Sequence, residues 1–164
     1  MFRAGIITVS DKGSQGQRED LSGPAIAQVL AGAGFTVSIT IIVPDDIGQI
    51  ANALIEMSDR ERLDLILTTG GTGLSPRDLT PEATLKVLDK EIPGMAEAMR
   101  YSGMMVTPHA MLSRAVAGVR GRSLIINLPG SPKGATENLA AVVPALAHAI
   151  GKIKGDQSDC AAPL

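Results

Sequence analysis

Four polar turns in this chain gather residue types that handle phosphate groups and hard cations. Ser10-Asp11 follows the apolar run at 4–9 (AGIITV), and Asp45-Asp46 follows the run at 35–43 (FTVSITIIV). Gly70-Gly71-Thr72-Gly73 follows 63–69 (LDLILTT), with Ser75, Arg77 and Asp78 close behind. Pro129-Gly130-Ser131-Pro132-Lys133 follows the run at 123–128. The segment TTGGTG can turn backbone N–H groups outward to cradle phosphate oxygens, and glycine lets a ligand approach the main chain. No Gly-Lys-Ser/Thr follows it, so it is not a Walker A loop, and it lacks the GxGxxG dinucleotide spacing. The plain alternative is a tight strand-to-helix turn. Asp45 and Asp78 are the carboxylates expected to face a ligand. Mg²⁺ takes one or two carboxylates and completes its shell with substrate phosphates and water, so both are candidate metal ligands. Each has a structural alternative: a helix cap for the Asp45-Asp46 pair, with Asp46 the better cap, and for Asp78 an ion pair with neighbouring Arg77.

Lys133 opens a helix-like stretch, where the helix N-terminus already favours an anion, and it could hold a phosphate or developing negative charge. Ser113 and Arg114 begin an expected hairpin, where a phosphate contact and sheet-edge decoration are both open. Asp11 and Asp20, in the first polar loop, are weaker candidates. His109 and His148 lack metal-ligand spacing, and the single Cys160 rules out a cysteine cluster or internal disulfide. There is no Ser-His-Asp or Cys-His arrangement for nucleophilic catalysis.

The elements that must position these residues alternate between strand and helix. Apolar β-branched runs at 4–9, 35–43 and 63–69 read as strands. Between them, Ile26, Val29 and Leu30 make one helical stripe and Ile47, Ile50, Leu54 and Ile55 another. Thr80-Pro81-Glu82 reads as N-cap, N1 proline and first-turn acid after an eleven-residue loop, 70–80. A further helix follows Pro93-Gly94. A hairpin is expected from 113–119 and 123–128, and a closing helix over 133–154 carries Pro144 as a candidate kink. This order predicts an α/β fold with a mostly parallel sheet, helices on both faces and at least one antiparallel strand. In such a sheet the ligand crevice lies beyond the carboxyl ends of the strands, where all four polar turns should meet.

The chain has 164 residues, of which 45% are hydrophobic. One domain is expected, over 1–155, with a flexible tail at 156–164. Leu, Ile, Val and Phe make up about a quarter of the residues, enough to exclude disorder. A net charge of −2, with no run of more than two Lys/Arg, argues against nucleic-acid binding through phosphate neutralisation. No signal-like or membrane-spanning run is seen, so a cytoplasmic protein is expected.

GGTG followed by SPRDLTPEAT, then IPG, then TPHAMLSRAVAGVRGRSLIINLPGSPKG, resembles the molybdopterin adenylyltransferases of molybdenum-cofactor biosynthesis. That family includes stand-alone bacterial enzymes and the G domains of gephyrin and its plant counterpart. The resemblance runs from about residue 3 to residue 155. It implies a three-layer α/β/α sandwich, usually a homotrimer. It also implies adenylyl transfer from Mg-ATP to the terminal phosphate of molybdopterin, with a molybdenum-insertion protein as the partner downstream. Asp45 and Asp78 fall on the family's catalytic aspartates, Gly70 to Gly73 on the loop near nucleotide and pterin, and Ser113 on a pterin-site serine. The PGSPK turn falls on the segment that closes the pocket, and Ser10-Asp11 match the first-strand motif. One departure stands out: Gly103 occupies the place of a serine before the Thr-Pro motif.

A carrier that binds molybdopterin without efficient transfer, and a scaffold built on the trimer, are the competing readings. Arg77-Asp78 in a complete PRD motif favours the enzyme over the carrier. The three aromatic residues sharpen the expected mode of binding. Phe2 and Phe35 fall at or before the amino-terminal starts of their strands, near the amino edge of the sheet and opposite the expected crevice, and only Tyr101 could approach a ligand. A pterin would then be held by backbone, polar and aliphatic contacts with little ring stacking.

Overall fold

The computed structural model describes residues 1–157, so most of the tail expected at 156–164, with Cys160, lies outside the described residues. The elements run β1 (Phe2–Val9), α1 (Asp11–Ser14), α2 (Ser22–Gly32), β2 (Phe35–Val43), α3 (Ile47–Ile55), β3 (Leu65–Thr69), α4 (Thr80–Leu85), β4 (Lys90–Glu91), α5 (Pro93–Met104), β5 (Ala117–Arg120), β6 (Ser123–Leu128) and α6 (Pro132–Ile153). A π-helical turn extends α3 over Glu56–Arg60, and a 3-10 turn spans Pro108–Leu112.

The strands form one sheet in the order β2-β1-β3-β6-β5-β4. β1, β2, β3 and β6 are parallel, and β5 runs antiparallel to both β6 and β4. The continuous burial expected of strands in a doubly covered sheet is met: β3 and β6 are buried along their whole lengths. β2, at one edge, alternates between less and more exposed residues instead. Ile26 and Leu30 of α2, Met95 and Met99 of α5, and Leu139, Leu146 and Ile150 of α6 cover one face together with Ile6, Leu65 and Ile126. Ile50 and Leu54 of α3 and Ala83 of α4 cover the other with Ile7, Ile66 and Ile125. The molecule is therefore a three-layer α/β/α sandwich.

Several boundaries differ from expectation. β1 begins at Phe2 rather than Ala4, because Phe2 pairs in register with Phe35 and their rings pack at 5.7 Å. Thr80 is not an N-cap: Leu79 holds that place, while the Thr80 hydroxyl is buried and donates to the Gly70 carbonyl at 2.8 Å. Ser113 and Arg114 precede β5 and are not part of the hairpin, since the ladder starts only at Ala117. α6 continues unbroken through Pro144.

Candidate active site

Parallel strands β1, β2, β3 and β6 bring the four polar turns to one sheet edge. There Val9, Ser10, Asp45, Gly70, Gly71, Asp78, Gly130 and Ser131 line a cavity of about 600 Å³, within the range of about 300–1,000 Å³ usual for ligand pockets. A second cavity of about 450 Å³ lies beside it, lined by Thr72, Gly73, Leu74, Gly103, Ser113, Pro129 and Ser131 among others. Ser131 borders both. The glycine turn passes between them, with Gly70-Gly71 on the first and Thr72-Gly73 on the second.

The turn has its shape because Gly70 and Gly71 adopt φ of +103° and +65°. A Cβ on Gly70 would overlap the Val9 carbonyl, and one on Gly71 would overlap the Thr80 hydroxyl. Both positions thus require glycine. The Gly70 amide bonds to the Leu128 carbonyl at 3.1 Å, and the Thr80 amide bonds to the Gly71 carbonyl at 3.1 Å. Behind the turn lies a buried polar chain: Asn127 Nδ2 donates to Thr68 Oγ1 and Thr84 Oγ1, both at 2.9 Å, and the Thr84 hydroxyl donates to the Thr80 carbonyl at 2.8 Å.

The carboxylates are fixed by backbone donors. The Asp11 amide donates to Asp45 Oδ2 at 2.9 Å, and the Asp45 amide returns the bond to Asp11 Oδ1 at 3.0 Å. Arg77 is bidentate on Asp11, with Nη2 2.8 Å from Oδ2. The structural alternative for Asp78, an ion pair with neighbouring Arg77, is therefore not the one formed. Asp78 Oδ2 instead accepts from the Ser75 amide at 2.8 Å, and the Asp78 amide bonds back to the Ser75 carbonyl at 2.9 Å. Burial pushes the Asp45 carboxyl above the ordinary aspartate range; the hydrogen bond from the Asp11 amide opposes that rise and the Asp11 charge adds to it. The Arg77 hydrogen bond holds the Asp11 carboxyl below that range.

Asp45 Oδ1 and Asp78 Oδ1 accept no hydrogen bond among the described residues, the bonds to both side chains going to Oδ2. Each carboxylate therefore keeps one oxygen for a ligand, a donor set that fits a hard cation sharing its shell with phosphate and water. No cluster of three or more His, Cys, Asp or Glu able to cage a metal exists among the described residues. Any cation would thus depend on a substrate for the rest of its ligands.

Lys133 is set apart from these groups. It sits in the first turn of α6 with its side chain 77% exposed, 3.9 Å from Glu137, and lines neither cavity. Arg114 lines neither cavity, and its guanidinium is spent on protein acceptors, including Glu82 and the Gly73 carbonyl. Tyr101 is exposed outside both cavities, and Phe2 and Phe35 lie at the opposite sheet edge. Thr8, Arg18 and Ser22 in the first cavity and Thr107, His109, Glu137 and Asn138 in the second were not legible as site residues. Asp20, a weaker candidate from the sequence, lines the first cavity; it accepts from the Ser22 and Gly23 amides in the first turn of α2 and takes the Thr8 hydroxyl at 2.7 Å.

Residues 5–148 match the family model described as "Probable molybdopterin binding domain". The molybdopterin adenylyltransferase of Helicobacter pylori strain J99 is 46% identical over 157 residues, covering 93% of this chain and 88% of that protein. Gephyrin of Dictyostelium discoideum is 45% identical over 91% of this chain, which spans 22% of gephyrin's length. Among solved structures, the molybdopterin biosynthesis enzyme MoaB of Thermus thermophilus superposes with a TM-score of 0.90 at 59% identity, over 94% of this chain and 98% of that one. Family model, relatives and fold agree across nearly the whole length, and the chain belongs to the molybdopterin-binding domain family of molybdenum cofactor biosynthesis and stands among that family's enzymes.

Proposed function

We propose that this chain transfers AMP from Mg-ATP to the terminal phosphate of molybdopterin, releasing pyrophosphate. The observation that carries this reading is the pair of adjoining cavities divided by the glycine turn, with Asp45 and Asp78 in the first and Ser113 in the second. Two ligands can meet there, one on each side of Gly70–Gly73. In this reading the nucleotide occupies the first cavity against Ser10, Gly70, Gly71, Gly130 and Ser131. The pterin occupies the second against Thr72, Gly73, Ser113 and Pro129.

A molybdopterin phosphate oxygen forms the new bond to the α-phosphorus, and the bond from that phosphorus to pyrophosphate breaks. The substrate supplies the nucleophile, so no side chain need do so. What the protein must overcome is repulsion: two unit charges 4 Å apart cost about 4 kcal/mol at an effective dielectric of about 20. Mg²⁺, when bound, supplies charge neutralisation to the phosphates. Asp45 and Asp78 would hold it through their free oxygens. Asp11 fixes Asp45 through the exchanged amide bonds, Arg77 holds Asp11, and Ser75 holds Asp78. The backbone amides of the turn and aliphatic walls bind and orient without aromatic stacking, which suits a molecule whose two phenylalanines lie at the far edge.

Asp78→Asn is the decisive variant. Asparagine keeps an oxygen to accept the Ser75 amide but loses the charge. Wild-type protein with molybdopterin, ATP and Mg²⁺ should release pyrophosphate, whereas D78N should lose transfer and largely retain molybdopterin binding. Wild type that binds molybdopterin yet forms no adenylylated product would establish the carrier instead. The reading also places a single domain over 1–155, in the cytoplasm, in a homotrimer that hands its product to a molybdenum-insertion protein. Exposed Tyr101, Met104, Met105, Val106 and Met111 offer apolar surface for such an assembly to cover. A monomer in sedimentation velocity at micromolar concentration would exclude the trimer. No helix among the described residues is long and apolar enough to cross a membrane.

A further inference from the structure

Arg114 holds both ends of the loop that carries Asp78. Its Nε donates to the Gly73 carbonyl at 2.8 Å and its Nη2 to the Asp78 carbonyl at 2.6 Å. Glu82, in the first turn of α4, accepts from Nη1 and Nη2 and holds the guanidinium in place. The Arg114 amide adds a bond to the Thr72 carbonyl at 2.9 Å, and Arg100 holds the neighbouring Ser113 carbonyl at 3.3 Å. Most of the guanidinium's five donors are thereby committed to the protein, so no bidentate fork remains for a phosphate.

Apart from Arg114, the loop is tied to the rest of the molecule through the Arg77–Asp11 pair, which acts on the side chain next to Asp78 and not on the Asp78 backbone. Leu74 is 65% exposed, and Arg77 points away to Asp11. Internal bonds between Ser75 and Asp78 close the turn but do not place it against the sheet. A planar guanidinium with fixed donor directions sets the separation of the Gly73 and Asp78 carbonyls, which an ammonium cannot do. The Ser113-Arg114 pair therefore presents Ser113 to the second cavity while Arg114 fixes the Asp78 backbone beside the first.

We infer that Arg114, seated on Glu82, is the positioning residue for Asp78, acting through the loop backbone and not by touching a substrate phosphate. The inference rests on the adenylyl-transfer reading, in which Asp78 helps hold Mg-ATP. A misplacement of about 1 Å at a reacting group can cost on the order of 100-fold in rate.

Arg114→Lys, Arg114→Gln and Glu82→Gln test it, beside Arg60→Ala as a control that removes an exposed surface arginine. R114K should lower kcat on the order of 10- to 100-fold, raise the Mg²⁺ concentration for half-maximal rate, and leave KM for molybdopterin within about twofold. E82Q should shift both quantities in the same direction by less, and R60A should shift neither. In D78N protein, R114K should cause no further loss of Mg-ATP affinity by calorimetry, because the carboxylate it positions is already neutral. Amide exchange in metal-free R114K should rise at Ser75 and Asp78 while the β3 amides stay protected.

Wild-type kcat and Mg²⁺ dependence in both R114K and R114Q would overturn the inference. So would a rise in molybdopterin KM alone, which would make Arg114 a substrate phosphate contact. If wild type forms no adenylylated product, the enzyme reading fails. The Mg-ATP titrations in wild type, R114K, D78N and the double variant still decide whether Arg114 acts through Asp78.

Discussion

Asp11 and Asp45 are chemically alike, hydrogen-bonded to each other's backbone, and shifted in opposite directions. Arg77 favours the charged form of Asp11, while burial and the nearby Asp11 charge favour the neutral form of Asp45. A carboxyl raised on folding stabilises the fold below its unfolded value of about 4 and loses that contribution as pH rises through its higher folded value. Asp11 has the opposite sign, its contribution being present above that unfolded value and lost only as pH falls through the depressed one. A cation on Asp45 favours the form that burial disfavours. Mg-ATP affinity should therefore weaken as pH falls through the range just above the ordinary aspartate value, measured by calorimetry at a series of pH values. Asp45→Asn should bind more weakly and lose that pH dependence, and an unchanged profile in D45N would exclude Asp45 as the titrating ligand. The aspartates themselves were legible because they follow strands, where the fold puts ligands. The partners of Arg77 and Arg114 were not, because a loop can send adjacent side chains in different directions. Arg77 finds Asp11 from another turn, and Arg114 finds carbonyls with no side-chain signature.

At the scale of elements, the glycine turn was visible in the sequence but its support was not. Glycines that require positive φ leave a mark in a single chain. A buried polar chain assembled from β3 (Thr68), α4 (Thr84) and β6 (Asn127) does not, because its members come together only when three elements dock. The same docking moved Thr80 from an expected cap to a buried brace under Gly70. Thr84→Val keeps the shape of the side chain but removes an acceptor for Asn127 and a donor to the Thr80 carbonyl. A buried group left without its partner costs about 1–3 kcal/mol, so T84V should lower the unfolding free energy by that amount, read as a lower denaturant midpoint at an unchanged m-value. Gly71→Ala should be worse for the site. It combines positive φ with overlap on the Thr80 hydroxyl, a strain of order 1–3 kcal/mol, and the turn can relieve it only by moving the wall between the cavities. Loss of transfer in G71A should thus exceed that in T84V, and equal activities in the two would show that the turn's shape is immaterial.

Across the whole molecule, parallel strands separate chemistry from stability along the sheet. The carboxyl ends of β1, β2, β3 and β6 carry both cavities. The amino ends carry the Phe2–Phe35 stack, the Lys154 ammonium 5.2 Å from the Phe2 ring centroid, and the Lys154–Asp64 ion pair. Alternation of strand and helix was enough to foresee that division, since right-handed crossovers return every parallel strand in the same direction. It could not foresee that Lys133, at the correct edge, would turn into solvent, because a lysine at a helix start has many exposed rotamers. The division has a measurable consequence. Phe35 is buried at the amino end of β2 and packs in the cluster shared by α2, α5 and α6. Phe35→Leu should cost up to about 1.5 kcal/mol, through lost ring contact and imperfect refilling. It should nevertheless leave KM for ATP, KM for molybdopterin and the Mg²⁺ requirement at their wild-type values, since a ring at the amino end of β2 touches neither cavity. Thermal unfolding and steady-state kinetics on the same preparation separate the two effects. A Phe35 variant that lost pterin affinity while keeping its stability would mean that the ligand reaches the amino edge, and the far-edge placement of the aromatic rings would no longer explain binding without stacking.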